Sequence, residues 1–193
     1  MVEDDAYRDL AYDGVVPPSL LALDTDGRVI RTGTFSKILA AGLRLGWVLG
    51  TPSVLGQLTA YKDDGGTSPF TSYVTAAYMM AGALGPHIAE LVTLYRQKRD
   101  VMLRALEWYF PAEVQWTRPA GGFFVWVTLP AHLDADSLIP RCREEGVDFM
   151  PGDRCYPTPG IARNTMRLAF SLPSPDEIEE GIKRLGDALK TVL

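Results

Sequence analysis

The sequence predicts an α/β layer with a largely parallel sheet, followed by a smaller α+β domain. Three observations carry this. Short apolar strands alternate with helix signals over the first third of the chain. A long amphipathic stretch fills the middle, and beyond it strand patterns come in antiparallel-looking pairs ahead of a well-capped terminal helix.

The elements follow in order. Arg28-Val29-Ile30-Arg31 comes after the turn Asp24-Thr25-Asp26-Gly27 and reads as a strand, as does Leu45-Gly46-Trp47-Val48-Leu49-Gly50. A helix starts at Pro52, where the missing N–H has no helical partner to lose. Gly85-Pro86 opens a long helix whose Ile88, Leu91, Val92, Tyr95, Met102, Ala105, Leu106 and Tyr109 share one face, and Phe110-Pro111 ends it. Glu113–Thr117 and Phe123–Val127 read as an antiparallel pair joined through Pro119-Ala120-Gly121-Gly122. A helix over Asp136–Glu145 and strands near Val147–Met150 and Met166–Phe170 come next. The last helix carries Ser174 with Glu177 three residues on and Pro175 between them, a capping box, and buries Ile178, Ile182, Leu185 and Leu189. A long helix commonly bridges two domains, so the boundary is placed inside it, with 1–98 as one part and 99–193 as the other.

Composition excludes several classes. The 193 residues are 47% apolar and 22% charged, ordinary for a globular chain. Acidic residues exceed basic ones, 24 to 19, for a net charge of −5. That argues against a nucleic-acid or anionic-membrane surface on this segment. No apolar run approaches the roughly 20 residues of a membrane span. The opening Met1-Val2-Glu3-Asp4-Asp5 lacks the basic and apolar regions of a signal peptide, and Cys142 and Cys155 read as reduced thiols, so the expected compartment is the cytoplasm. Neither cysteine stands in a metal-ligand spacing, single histidines placed as His87 and His132 are more often structural than catalytic, and no metal is expected.

The chemistry concentrates in Gly33-Thr34-Phe35-Ser36-Lys37 and Gly42-Leu43-Arg44-Leu45-Gly46. A lone surface lysine is usually a solvated charge. Two hydroxyls just before it and an arginine seven residues after offer another reading: Thr34, Ser36 and Arg44 hold a phosphate, and Lys37 lies within reach of an aldehyde on the same molecule. Asp4-Asp5-Ala6-Tyr7 could add a carboxylate for a pyridine nitrogen and a phenol for the ring oxygen. Alone, such an acidic run is more often solvated.

Together these pieces resemble the class I/II pyridoxal-phosphate aminotransferases, and most closely the branch of 2-aminoadipate, kynurenine and broad-range α-amino-acid enzymes. Glu3–Leu10, Gly33–Leu39, Gly42–Trp47, Pro119–Trp126 and Asn164–Ser171 occur in that family's order and spacing. The resemblance implies the C-terminal part of a pyridoxal-phosphate transferase large domain, a partial cofactor domain over 1–98, followed by the small α+β domain over 99–193. It implies that Asp4 pairs with the pyridine nitrogen and Tyr7 with the ring oxygen, and that Thr34, Ser36 and Arg44 hold the phosphate. Lys37 is implied as the Schiff-base lysine and proton carrier, and Arg167 as the grip for the substrate α-carboxylate. The implied reaction exchanges an amino group between an α-amino acid and a 2-oxo acid, in an enzyme that is a homodimer.

The departures are as informative. The family's N-terminal strands, its glycine/serine phosphate loop, its ring-stacking aromatic and an Asn-Pro-Thr-Gly-type segment have no counterpart here. The proline usual before Gly-Leu-Arg is Ala41. A segment of a longer enzyme is the expectation, with a chain that acts beside a separate N-terminal half as the alternative. On its own the first part should expose apolar surface and sheet edges, and half a site could leave the chain inactive. Two rival functions share the same residues: a pyridoxal-phosphate lyase or racemase, and the effector domain of a winged-helix transcription regulator.

Overall fold

The computed structural model describes residues 1–63 and 65–193. Two compact units emerge, Met1–Thr93 and Leu94–Leu193. They divide inside the long helix, five residues ahead of the 98/99 boundary read from the sequence.

The first unit holds a three-stranded sheet of β1 (Val2–Asp4), β2 (Ile30–Thr34) and β3 (Gly46–Leu49), in that order. β1 and β2 run parallel, with Asp4 opposite Thr32. β2 and β3 run antiparallel, with Thr34 opposite Gly46. Within this α/β unit the three strands therefore form one parallel and one antiparallel pair. The reason lies in the connections. Between β1 and β2 the chain has room for a crossover containing the short helix α1 (Leu20–Leu23). Between β2 and β3 it has only residues 35–45, a turn and the single short helix Ala41–Leu43, less than the dozen or more residues with a full helix that a return to a parallel start takes.

Two further helices follow. α2 (Pro52–Tyr61) begins with proline in its first turn. α3 (Pro69–Met80), which the sequence reading did not pick out, is capped by the Ser68 hydroxyl accepting from the Thr71 N–H. Neither buries much: α2 has no buried residue and α3 only Thr75. Phe70 and Tyr73 are each 78% exposed and Met80 89%. The unit's core is correspondingly small, with Leu10, Tyr12, Val29, Phe35 and Ile38 at its centre.

Helix α4 (Leu84–Tyr109) begins at the predicted place; Pro86 falls in its first turn, where N–H groups lack helical acceptors. Within the second unit its buried positions are Lys98, Arg99, Met102, Ala105 and Leu106. Two of these are charged: Lys98 is spent on main-chain oxygens, and Arg99 on a main-chain oxygen and the Asp100 carboxylate. Lys98 Nζ donates to the Ser171 carbonyl at 3.0 Å, and Arg99 donates to the Pro119 carbonyl at 2.9 Å. A buried cation without such partners would be costly.

The second unit is built on an antiparallel sheet of β4 (Gln115–Trp116), β5 (Phe124–Thr128), β6 (Met150–Pro151) and β7 (Thr165–Ala169), in the order β4-β5-β7-β6. Strand alternation sorts its residues. Val125, Val127, Met166 and Leu168 are buried, while Phe124, Trp126 and Arg167 on the opposite face are half-buried. The core is completed by Leu138, Ile139 and Cys142 of α5 (Ala135–Glu144) and by Ile178, Ile182, Leu185 and Leu189 of α6 (Pro175–Lys190). The capping box of α6 is present as the sequence predicts, with Ser174 and Glu177 exchanging side-chain and backbone bonds. At Gly186 a Cβ would lie 2.6 Å from the Tyr109 carbonyl oxygen, so α6 can approach the end of α4 only with glycine there.

Candidate cofactor and carboxylate sites

Six of the residues singled out from the sequence sit at one end of the first unit's sheet. β1 and β2 are parallel, and both finish there, at Asp4 and Thr34. Tyr7 lies three residues past β1, Ser36 and Lys37 follow β2, and Arg44 comes two residues before β3 starts. Carboxyl ends of parallel strands are where α/β sheets hold ligands. Lys37 Nζ lies 5.8 Å from the centre of the Tyr7 ring.

The acidic run Glu3-Asp4-Asp5 divides its labour by strand alternation. Both Glu3 carboxylate oxygens accept backbone N–H bonds, from Leu20 at 2.9 Å and Leu21 at 3.1 Å, closing the start of α1. Burial works against the charged form of Glu3. The two N–H donors, with Arg31 and Arg8 nearby, outweigh it and hold the carboxyl below its ordinary value. Asp5 accepts from Arg31 Nε at 2.6 Å, and the Arg31 guanidinium lies 5.4 Å from the Trp47 ring centre. Between them Asp4 is exposed, and among the described residues its carboxylate has no partner. Of the three acids it is the one that the fold leaves uncommitted among the described residues.

The turn after β2 shows the same sorting. The Thr34 hydroxyl is occupied: it accepts the Ser36 N–H at 3.0 Å and donates to the Leu45 carbonyl at 3.3 Å. It braces the turn, and to donate to a phosphate it must let Leu45 go. The Ser36 hydroxyl and the Lys37 ammonium have no hydrogen-bonded partner among the described residues. Arg44 is the one non-glycine residue with positive φ among them, at 49°. Its guanidinium makes only a 3.4 Å bond back to the Ala41 carbonyl of its own turn. The donor set suits pyridoxal phosphate: a hydroxyl and a guanidinium for the phosphate, an amine for the aldehyde, and a carboxylate for a protonated ring nitrogen.

Arg167 belongs to the second unit. It lies on β7, opposite Trp126 of β5 and Met150 of β6, and its guanidinium carbon sits 4.2 Å from the centre of the Phe124 ring. The aromatics Trp116, Phe123, Phe124 and Trp126, read from the sequence as core, divide between environments. Phe123 is buried, while Phe124 and Trp126 stand on the half-exposed face beside Arg167. Alternation along β5 separates them. The supporting roles of Asp5, Arg31, Trp47 and Phe124 were not read from the sequence; strand parity was the one signal that could have found them. Gly122 has φ 76°, a left-handed conformation that favours glycine.

His87 lies in the first turns of α4, edge-on to Tyr78 with ring centres 6.4 Å apart. Cys142 is buried and Cys155 exposed, and neither is in a disulfide. Among the described residues, no helix is long and apolar enough to cross a membrane.

Comparison with known proteins places this geometry in a family. The family model for aminotransferase class I and II matches residues 1–185. An uncharacterized aminotransferase of Saccharolobus solfataricus is 42% identical over 97% of this chain and 47% of its own length. The solved kynurenine aminotransferase of Pyrococcus horikoshii, in complex with PMP, superposes with a TM-score of 0.95 at 43% identity, over 100% of this chain and 48% of that one. The α-aminoadipate aminotransferase of Thermus thermophilus, complexed with N-(5'-phosphopyridoxyl)-L-leucine, gives 0.92 at 36% identity, over 99% and 50%. An uncharacterized HTH-type transcriptional regulator of Bacillus subtilis is also similar, 31% identical over 100% of this chain and 40% of its own. The chain spans about half the length of the relatives it matches. With the family model covering nearly all of it, the chain belongs to the class I and II aminotransferases.

Proposed function

We propose that this chain is the lysine-bearing part of a pyridoxal-phosphate-dependent aminotransferase that exchanges an amino group between an α-amino acid and a 2-oxo acid. The observation that carries the reading is the gathering of Asp4, Ser36, Lys37 and Arg44, without ion-pair partners among the described residues, at the carboxyl end of one parallel strand pair. When bound, the cofactor supplies an electron sink for the bond broken at the substrate Cα.

The residues take these roles. Ser36 and Arg44 bind the phosphate, with Thr34 available once its turn bond is exchanged. Asp4 keeps the ring nitrogen protonated by placing a negative charge beside it. Tyr7 donates to the ring oxygen. Lys37 Nζ would be the attachment point for the cofactor aldehyde and the base that moves the substrate Cα proton. Arg167 takes the α-carboxylate through its planar fork. A cytoplasmic homodimer completes the proposal.

Borohydride reduction of the chain in the presence of pyridoxal phosphate, followed by peptide mapping, tests it. The expected product is a single stoichiometric label on Lys37. A label scattered over other lysines, or a stoichiometric reducible label that survives Lys37→Ala, overturns the assignment. Amino-group exchange with 2-oxoglutarate, measured on the full-length protein, separates the transaminase from a regulator's effector domain and from a lyase, since those two leave the keto acid unchanged.

A further inference from the structure

Arg167 is held differently from Arg31, Arg99 and Arg143. Arg31, Arg99 and Arg143 each set their guanidinium against a carboxylate. Among the described residues no carboxylate or carbonyl accepts a bond from Arg167, although the residue is half-buried in the middle of a sheet. Its guanidinium carbon instead lies 4.2 Å from the centre of the Phe124 ring.

The difference is chemical. A carboxylate partner takes the in-plane N–H groups of a guanidinium, the same groups that a substrate carboxylate needs. An aromatic face attracts the cation through its quadrupole and takes none of them. A ring can therefore restrain the guanidinium plane while leaving the fork open. The backbone makes this contact a built one. Phe124 pairs with Ala169, and Arg167 with Trp126, so Phe124 and Arg167 are diagonal neighbours on one face of two adjacent strands. Side chains carried on paired strands are placed more tightly than those on loops.

We propose that Phe124 is a positioning residue for carboxylate recognition: its ring face holds the Arg167 guanidinium and leaves the planar N–H fork to a substrate α-carboxylate. The proposal rests on the reading of Arg167 as the carboxylate grip. A residue that merely filled volume would act through its size. Phe124 acts through its π electrons, and this separates the two roles.

The test uses the chain labelled with ¹⁵N-arginine. The Arg167 Nε–H resonance, identified by its loss in Arg167→Lys, should show an upfield ring-current shift that disappears in Phe124→Leu. Titration with 2-oxoglutarate followed on that resonance then gives affinity without any need for turnover. Phe124→Leu should weaken binding by about threefold to tenfold, the range of an exposed to half-buried cation–π contact. Phe124→Tyr should stay near wild type. Fluorinated phenylalanines at position 124 should weaken binding stepwise with each fluorine, because fluorine drains the ring face and barely changes its size. In the holoenzyme the loss should fall on KM for the amino acid more than on kcat. Absence of the ring-current shift, or an affinity indifferent to fluorination while Arg167→Lys still weakens it, overturns the positioning role alone. Failure of 2-oxoglutarate to move the Arg167 resonance, or equal affinity in Arg167→Lys, overturns the carboxylate reading and the proposal with it.

Discussion

Gly33 and Trp47 stand opposite each other in the β2–β3 ladder, and the indole occupies the volume where a Gly33 side chain would be. A Cβ on Gly33 would lie 2.1 Å from Cζ2 of Trp47. The indole also has the Arg31 guanidinium near its ring, and Arg31 is held by Asp5. Gly33 thus lets an aromatic pack directly beneath the strand that delivers Thr34, Ser36 and Lys37.

Gly33→Ala should therefore force Trp47 from its place and cost roughly 1–3 kcal/mol, the usual range for overpacking. Thermal unfolding should show the loss. Trp47→Leu in the same chain should recover part of it, giving a double-mutant coupling that an independent pair of sites would lack.

Asp4 and Asp5 should separate binding from stability. Asp5→Ala leaves the half-buried Arg31 guanidinium without its carboxylate, and unfolding should show a loss on the order of 2 kcal/mol. Asp4→Ala removes an exposed side chain without a partner among the described residues, so stability should stay within about 0.5 kcal/mol. Its pyridoxal-phosphate affinity should fall by about tenfold or more, as for the loss of a charged hydrogen bond. Equal cofactor affinity in the two variants would remove Asp4 from the ring nitrogen.

Asp153 should make one loop of the second unit sensitive to acid. Its carboxylate accepts the Gly160 N–H at 2.8 Å and the Ala162 N–H at 3.1 Å. The Gly160 and Ala162 N–H groups, with Arg163 nearby, hold the carboxyl below its ordinary value of 3.8 despite some burial. A depressed folded-state pKa means that the contribution is fully present above the unfolded value and fades as pH falls through the folded one. Amide exchange at Gly160 and Ala162 should therefore accelerate, beyond its intrinsic trend, only below about pH 3.8. In Asp153→Ala that step should be absent and exchange fast throughout.

How much of this was legible in the sequence depends on where the information lay. Ser174 and Glu177 announce α6 because a capping box is local chemistry three residues long. α3 is silent because Pro69–Met80 contains no charged residue, and without polar contrast no helical period stands out. The direction of β3 follows from a connection too short for a crossover, a property of the chain between strands and not of the strand. At the site, motif order brought Lys37, Ser36 and Arg44 forward. Motif order did not show that the Thr34 hydroxyl braces its own turn, nor that Phe124 and Phe123 face opposite ways. Which of two adjacent side chains turns to the core depends on register, where a shift of one residue exchanges the faces.

Arg44 should trade stability for binding. Its φ of 49° and ψ of 38° put an L-residue in the left-handed region at the end of the Ala41–Leu43 turn. That conformation costs roughly 1–2 kcal/mol relative to glycine, partly offset by the greater freedom that glycine has in the unfolded chain. Among the described residues the guanidinium returns little, since its one bond is the 3.4 Å contact to Ala41. Strain of this kind at a ligand site points to function. Arg44→Gly should accordingly leave thermal stability unchanged or raise it by up to about 1 kcal/mol. The same variant should bind inorganic phosphate and pyridoxal phosphate more weakly than wild type. Arg44→Lys keeps the charge and the strain but loses the fork, so it should fall between the two in affinity without the gain in stability. A glycine variant that melts lower while binding phosphate as well as wild type would mean that Arg44 serves the turn and not the ligand.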